Sequence, residues 1–402
     1  MINSNNNRSI FYFSVILVIG FVSCNSSENE VDLANNFVKI YNNEDFKISY
    51  QPLDIKQTKD GGYIILGIEG ANNTYISRVT AVGEFLSDTV ISSPYTNPLS
   101  ALIEINGAYH FFSMDDVTLG LHLLKVSLSD SSQTPEVVKS FPEIIYPLHA
   151  SQTPDGGFIV QSYNRDDKTT VLTKLSAGFT QEWQEEYEVL EDVEEKIIAK
   201  FAGTGGRTMP YFTGSTNDGN TYFFNGYFNF NFSMVFVNGA TGEMTGVLNG
   251  LREETGVSAA AHLGDGNYAL ARYSFDDNFI SPKGEVVPQE AKFSGEIEDN
   301  KFAEIEAHAV VKIERVVING KNIVVFGTHT KSKQIVLYLY DETDGALLGV
   351  KYFGDINPYE FGGFSLTADG GLVLLGRTFV AGRFPRMVVF KVSQETLNAL
   401  VE

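Results

Sequence analysis

The 402-residue chain has one cysteine, one tryptophan and six histidines, and it sets only 29 lysines and arginines against 50 acidic residues. With Cys24 alone, no intramolecular disulfide can form, so packing and hydrogen bonding must hold the fold. The net charge of -21 repels nucleic acid and anionic headgroups at long range and excludes them as bulk partners. Its plainest role is solubility. Catalytic signatures are missing as well: there is no Gly-x-Ser-x-Gly elbow, no His-Glu-x-x-His and no phosphate loop. The histidines, at 110, 122, 149, 262, 308 and 329, have no metal-ligand spacing. Gly203 to Gly206 is Gly-rich, but no Lys-Ser or Lys-Thr follows, and it reads as a loop. The composition calls for no cofactor.

Long apolar runs are confined to the N-terminus. Arg8 precedes a continuous apolar stretch from Ile10 to Val22, which is too short to span a bilayer comfortably, and Ser23 precedes Cys24. Residues 1–23 therefore read as a cleaved signal. The Val-Ser-Cys ending resembles the bacterial lipoprotein signal, in which the cysteine becomes the lipidated first residue. A plain secretory signal is the alternative. Residues 24–35 read as a polar tether with too little apolar surface to pack. Its acidic residues are loosely similar to the surface-export signal of Bacteroidota lipoproteins. The expected location is the bacterial outer membrane, at the cell surface or the periplasmic face, with membrane contact through the lipid alone.

The strongest feature is a repeat. Asp60-Gly61, Asn106-Gly107, Asp155-Gly156, Asp218-Gly219, Asp265-Gly266, Asn319-Gly320 and Asp369-Gly370 each precede a short apolar run, at spacings of 46, 49, 63, 47, 54 and 50 residues. Such pairs suit the tight hairpin whose two central residues both need positive φ. Seven hairpins at a period near 50 predict an all-β chain, a β-propeller of seven blades with four antiparallel strands each, as one domain over residues 36–402. Aligning the second strands gives a first column of Tyr63, Tyr109, Phe158, Tyr222, Tyr268, Ile323 and Leu372, large apolar residues suited to packing between blades. The fifth column is Gly67, Ser113, Ser162, Gly226, Arg272, Gly327 and Gly376, small everywhere except at Arg272. The fifth unit, with Pro282, Pro288 and many charges, is expected to be ragged or to carry an insertion. The acidic run Glu182 to Glu195 reads as a solvated outer strand and loop. Phe37 to Tyr41 is expected to complete the last blade, with Thr396 to Val401 as the alternative.

Gln57-Thr58-Lys59-Asp60-Gly61-Gly62-Tyr63 and Gln152-Thr153-Pro154-Asp155-Gly156-Gly157-Phe158 resemble the unit openings of secreted and lipid-anchored propellers of Bacteroidota, and Thr367 to Leu372 is a fair match. The resemblance implies an architecture and no established activity. No Trp-Asp dipeptide closes a third strand, which argues against a WD40 protein.

Candidate site residues fall in the loops after the second strands. Asp115-Asp116, Asp166-Asp167 and Asp276-Asp277 are oxygen-rich doublets that could converge on a hard cation or simply be solvated turns. Arg165, Arg272, Arg377, Arg383 and Arg386 stand among Tyr163, Tyr227, Tyr273 and several phenylalanines. Arginine forks suit carboxylates and aromatic faces suit sugar rings, which makes Arg165, Arg272, Arg377, Tyr163, Tyr227 and Tyr273 candidate ligand contacts. The competing expectation is that the aromatics pack the loops and each arginine pairs with a nearby acid. Arg272 needs a counter-charge in either case, with Asp276 or Asp277 nearest in sequence. The function expected is a non-enzymatic binding or scaffold module for a glycan or protein. Alternatives are a polysaccharide hydrolase or lyase with carboxylates from separate blades, and a structural subunit of an outer-membrane complex. The sequence leaves the oligomeric state open.

Overall fold

The computed structural model describes residues 36–41, 47–126, 135–202, 209–354, 356–380 and 384–402. Cys24, Arg383 and the Gly203–Gly206 run lie outside these residues. The described chain is all-β apart from two α-helices, α1 (Glu194–Ala202) and α2 (Gln394–Val401), and a single 3-10 turn. Its strands form six sheets, antiparallel except for one parallel pair, and they follow the seven repeats of the sequence as consecutive units. The first has strands Tyr50–Gln57, Tyr63–Glu69, Asn73–Val79 and Phe85–Pro98. The end of that fourth strand continues into the next unit, where Tyr95, Thr96 and Pro98 pair with Asp115, Met114 and Ser113. Units one and two are thereby joined into one eight-stranded sheet.

The apolar second strands are explained by burial on both faces. Ile64 and Leu66 pack against Phe111 and Leu124 of unit two, while Tyr63 and Ile65, one residue out of phase, pack against Val373, Leu375 and Val389 of unit seven. The same alternation runs along the chain. Unit two packs on three through Phe112 and Phe158, three on four through Ile159 and Phe224, and four on five through Phe223 and Tyr268. Five packs on six through Ala271 and Phe326, and six on seven through Val325 and Leu374. Strands buried on both sides read as continuous apolar runs instead of alternating ones. All seven first-column residues lie in these clusters.

The fifth column is small because a neighbour approaches it. A Cβ on Gly67 would strike the Met387 side chain and the Gln51 carbonyl, and one on Gly327 would lie 2.8 Å from Phe361. The turns divide into two kinds. At Asn106-Gly107, Asp265-Gly266 and Asn319-Gly320 both residues have positive φ, as expected. At Asp60, Asp155, Asp218 and Asp369 only the glycine does, which corrects the expectation of a two-residue turn there. In the first unit Gly61 N donates to Thr58 O at 2.9 Å and Thr58 N to Gly62 O at 2.8 Å, the pattern of a three-residue loop with a glycine bulge. This gives the Thr-x-Asp-Gly-Gly motif its physical meaning. The Thr hydroxyl donates to the Asp carboxylate two residues on, which also accepts from a following backbone N–H.

In the motif units the third strand adds a cation: Arg78 lies 3.6 Å from Asp60, Lys174 2.8 Å from Asp155 and Lys391 2.9 Å from Asp369. The Lys174 and Lys391 side chains are only 2% exposed. Lys391 also donates to Thr367 Oγ1 and to the Val392 carbonyl. Removing Asp369 strands the buried Lys391 ammonium, whereas removing the lysine leaves a carboxylate still bonded to threonine and backbone. Asp369→Ala should therefore cost about 2 kcal/mol, after allowance for the half-exposed carboxylate. Lys391→Met should cost under about 1 kcal/mol in the same urea titration, and equal losses would refute this asymmetry.

Unit five is ragged, as expected. Its fourth strand is the two-residue Asn300–Lys301, and Ala291–Phe293 of the intervening segment runs parallel to Val247–Asn249 on unit four. Phe37–Tyr41 pairs antiparallel with Met387–Lys391 and completes unit seven. Thr396–Val401, the alternative for that strand, is helical. The acidic run does form an outer strand, Gln181–Glu188, but its end opens α1. Val193, Ile197 and Phe201, at i, i+4 and i+8, bury one face of that helix, and Glu194 and Glu195 suit its first turn.

Candidate ligand site in the shared cavity

One cavity of about 730 Å³ is bordered by Gln51 of the first strand of unit one, by Pro98 where the Phe85–Pro98 strand enters unit two, and by the first strands of units three to seven, Pro147–Gln152, Phe212–Ser215, Thr255–Gly264, Lys312–Ile318 and Tyr359–Leu366, through His149, Thr213, Ala260, Lys312 and Gly362. Helix α1 reaches the same space through Ala199 and Lys200. Tyr50, Tyr211, Phe212 and Tyr273 add aromatic surface, so the wall mixes apolar faces with a few polar groups, as ligand pockets do.

Most of the charge at this wall is already compensated. Lys312 donates to the Phe364 carbonyl at 2.9 Å and lies 3.5 Å from Asp54 and 3.3 Å from Glu314. Burial works against its ammonium, but those carboxylates prevail and its pKa is raised. Arg377 Nε donates to Glu360 Oε2 at 2.7 Å. Lys333 then bridges Glu360 and Glu306 at 2.8 and 2.7 Å. His329 Nε2 lies 3.2 Å from Glu306, while Nδ1 accepts from Phe361 N. Glu306, His329 and Glu360 are the one metal-like group among the described residues. Lys333 holds both carboxylates, and a cation would have to displace it. Burial pushes His329 down, and Glu360 is held below its ordinary range because Lys333 and Arg377 outweigh its own burial. This is a compensated ion network.

Lys200 differs. No ion pair reaches it among the described residues, and burial alone pushes its ammonium down to about 8. It is partly exposed and borders the cavity. Beside it, His149 Nδ1 accepts from Thr213 N at 3.1 Å and lies 3.0 Å from Thr213 Oγ1. Burial first, and the Lys200 charge second, push His149 down to about 4. His149 is thus neutral near pH 7. The hydroxyls of Tyr211 and Ser258 are buried without a hydrogen-bond partner among the described residues.

The residues singled out in the sequence separate into two groups. Tyr163, Tyr227 and Tyr273 do come together around Tyr211, and Tyr227 Oη donates to Glu253 at 3.1 Å. All three are buried, and Tyr273 borders the cavity. The arginines do not converge. Arg165 pairs with Glu194 at 2.6 Å on an exposed surface, Arg377 with Glu360, and Arg386 donates to the Ile48 carbonyl at 3.0 Å. Arg272 pairs with Asp299, not with Asp276 or Asp277, and its guanidinium lies 4.0 Å over the Phe279 ring. The insertion in unit five supplies that acid.

The acidic doublets do not meet. Asp115 Oδ1 accepts from Val117 N and Thr118 N at 2.8 Å, and Asp116 accepts from Ser93. Asp167 accepts from Asn164, and Asp166 N donates to Asn164 Oδ1. Asp276 lies 3.9 Å from His308 and Asp277 pairs with Lys301. They are turn-capping and surface-pairing groups.

No family model and no curated protein matches the chain. Two solved structures, both named as candidate 6-phosphogluconolactonases, are similar to it. One, from Bacteroides fragilis NCTC 9343, is 12% identical with a TM-score of 0.46, over 84% of this chain and 92% of that one. The other, from Bacteroides uniformis ATCC 8492, is 15% identical with a TM-score of 0.43, over 76% and 87%.

Proposed function

We propose that the protein is a closed seven-bladed β-propeller that binds a ligand in its axial cavity as a non-enzymatic module of the bacterial envelope, carried on the outer membrane by a lipid at Cys24. The cavity carries this reading: one space bordered by every unit is what seven blades around an axis produce. The seven inter-unit cores support closure, since the last of them joins unit seven to unit one. Internal pairing of Arg165, Arg272 and Arg377 removes them as ligand contacts and leaves recognition to the cavity wall. The ligand class is a glycan or a peptide.

Two experiments test the proposal. Purified protein on glycan and peptide arrays should give a specific hit that Ala260→Trp, which fills the cavity, abolishes. A hit indifferent to that change would move binding to the outer surface, and no hit would remove the binding reading. Metabolic labelling with a fatty-acid probe should mark the wild type and miss Cys24→Ala, and equal labelling would refute lipidation. Protease shaving of intact cells then distinguishes cell surface from periplasm.

A further inference from the structure

The cations bordering the cavity are unequal. Lys312 and Arg377 each lie within an ion pair, and His308 stands 3.9 Å from Asp276. Lys200 has no carboxylate among the described residues, in a chain with 50 acids. What faces it is neutral: His149 and Thr213 from the first strands of units three and four, bonded to one another, and the Phe201 ring 4.7 Å from its Nζ. A part-buried ammonium at the cavity wall with no counter-charge among the described residues is a site that lacks its anion, since buried charges are otherwise paired.

We infer that Lys200 is the anion-recognition group of the cavity and that the ligand carries a single negative charge, a carboxylate, which it sets against this ammonium. The inference deepens the cavity-binding reading and rests on it. One unpaired positive charge compensates one negative charge. A phosphate dianion would leave a second charge uncompensated inside an already acidic protein, and the compact lysine ammonium makes a point contact without a fork. His149, neutral with Nδ1 occupied by Thr213, can offer only its Nε2–H. The aromatic face of Tyr211, partly exposed at the cavity wall, suits a ring bearing the carboxylate, as in a hexuronic acid.

The test uses protein labelled with 13C at lysine Cε and titrated with D-glucuronate, with D-glucuronamide as the uncharged match and inorganic phosphate as the dianion. The Lys200 signal, assigned by its loss in Lys200→Met, should move saturably with glucuronate. Glucuronate should bind at least tenfold more tightly than glucuronamide, and Lys200→Met should remove that preference without lowering the melting temperature. Phosphate should bind more weakly than glucuronate. Equal affinity for glucuronate and glucuronamide, or a preference that survives Lys200→Met, would overturn the inference and leave cavity binding standing. Binding of neither sugar would also overturn it, and the array result with Ala260→Trp would decide the broader reading separately. Tighter phosphate binding would replace the singly charged ligand with a dianion and refute the inference as stated.

Discussion

Arg272→Ala should lower the free energy of unfolding by about 3–5 kcal/mol, the usual cost of breaking a buried ion pair from one side. Both side chains are about nine-tenths buried, and the guanidinium makes two contacts to the Asp299 carboxylate while lying over Phe279. Truncation removes the fork and the ring contact together, and it leaves Asp299 buried without its cation. The loss should appear in urea denaturation at pH 7. Arg272→Met with Asp299→Leu should recover most of it, because an apolar pair of similar volume carries no desolvation penalty. A loss under about 1 kcal/mol for the single change would show that water already screens the pair. Ligand binding should be unaltered where the fold survives, since Arg272 does not border the cavity.

Lys200→Met should have the opposite sign and stabilise the protein. The folded pKa of about 8 lies below the ordinary 10.5. At pH 7 the native state must therefore hold a proton on a desolvated amine, which the unfolded chain holds in water. The full shift corresponds to about 3 kcal/mol, and partial exposure to the cavity reduces the expected gain to roughly 1–3 kcal/mol. The sign follows from linkage: this cost is complete below pH 8, shrinks as the native amine loses its proton, and is gone above pH 10.5. Melting curves of wild type and variant should therefore converge between pH 8 and 10.5. A variant less stable than wild type at pH 7 would contradict this account. A residue whose removal stabilises the fold is retained for another reason, which is why Lys200 is the centre of the proposed ligand contact.

The architecture was legible because it repeats. Seven Gly-containing turns, a first column of large apolar residues and a fifth column of small ones are each imposed by a backbone or packing constraint that recurs in every unit, so one sequence displays the rule several times. The site was far less legible. Lys200 occurs once, and its helix interrupts the period. The spacing of Val193, Ile197 and Phe201 is the signal that could have revealed α1, but the acidic run before it masks the pattern. His149 matters only because its strand turns it toward the same space as Lys200, and no linear spacing encodes that. Arg272 was visible as an exception in its column. Its partner was not, because Asp299 arrives through an insertion with no counterpart in the other units.

Asn36 and Ser393 exchange hydrogen bonds at 3.2 and 2.9 Å although 357 residues separate them, and the strand that follows Asn36 completes the sheet that Arg386–Val392 would otherwise edge. Ribosomal synthesis therefore delivers this strand first and its partner last. Each of the first six units can assemble from neighbouring sequence as it emerges, but the seventh must wait for an early segment that has been idle throughout. The entropy of closing so long a loop grows only logarithmically with length, so the delay weighs on timing more than on final stability. During that interval the Arg386–Val392 edge, apolar and unpaired, can pair with another copy. Folding of this protein must therefore protect the seam until its two ends meet.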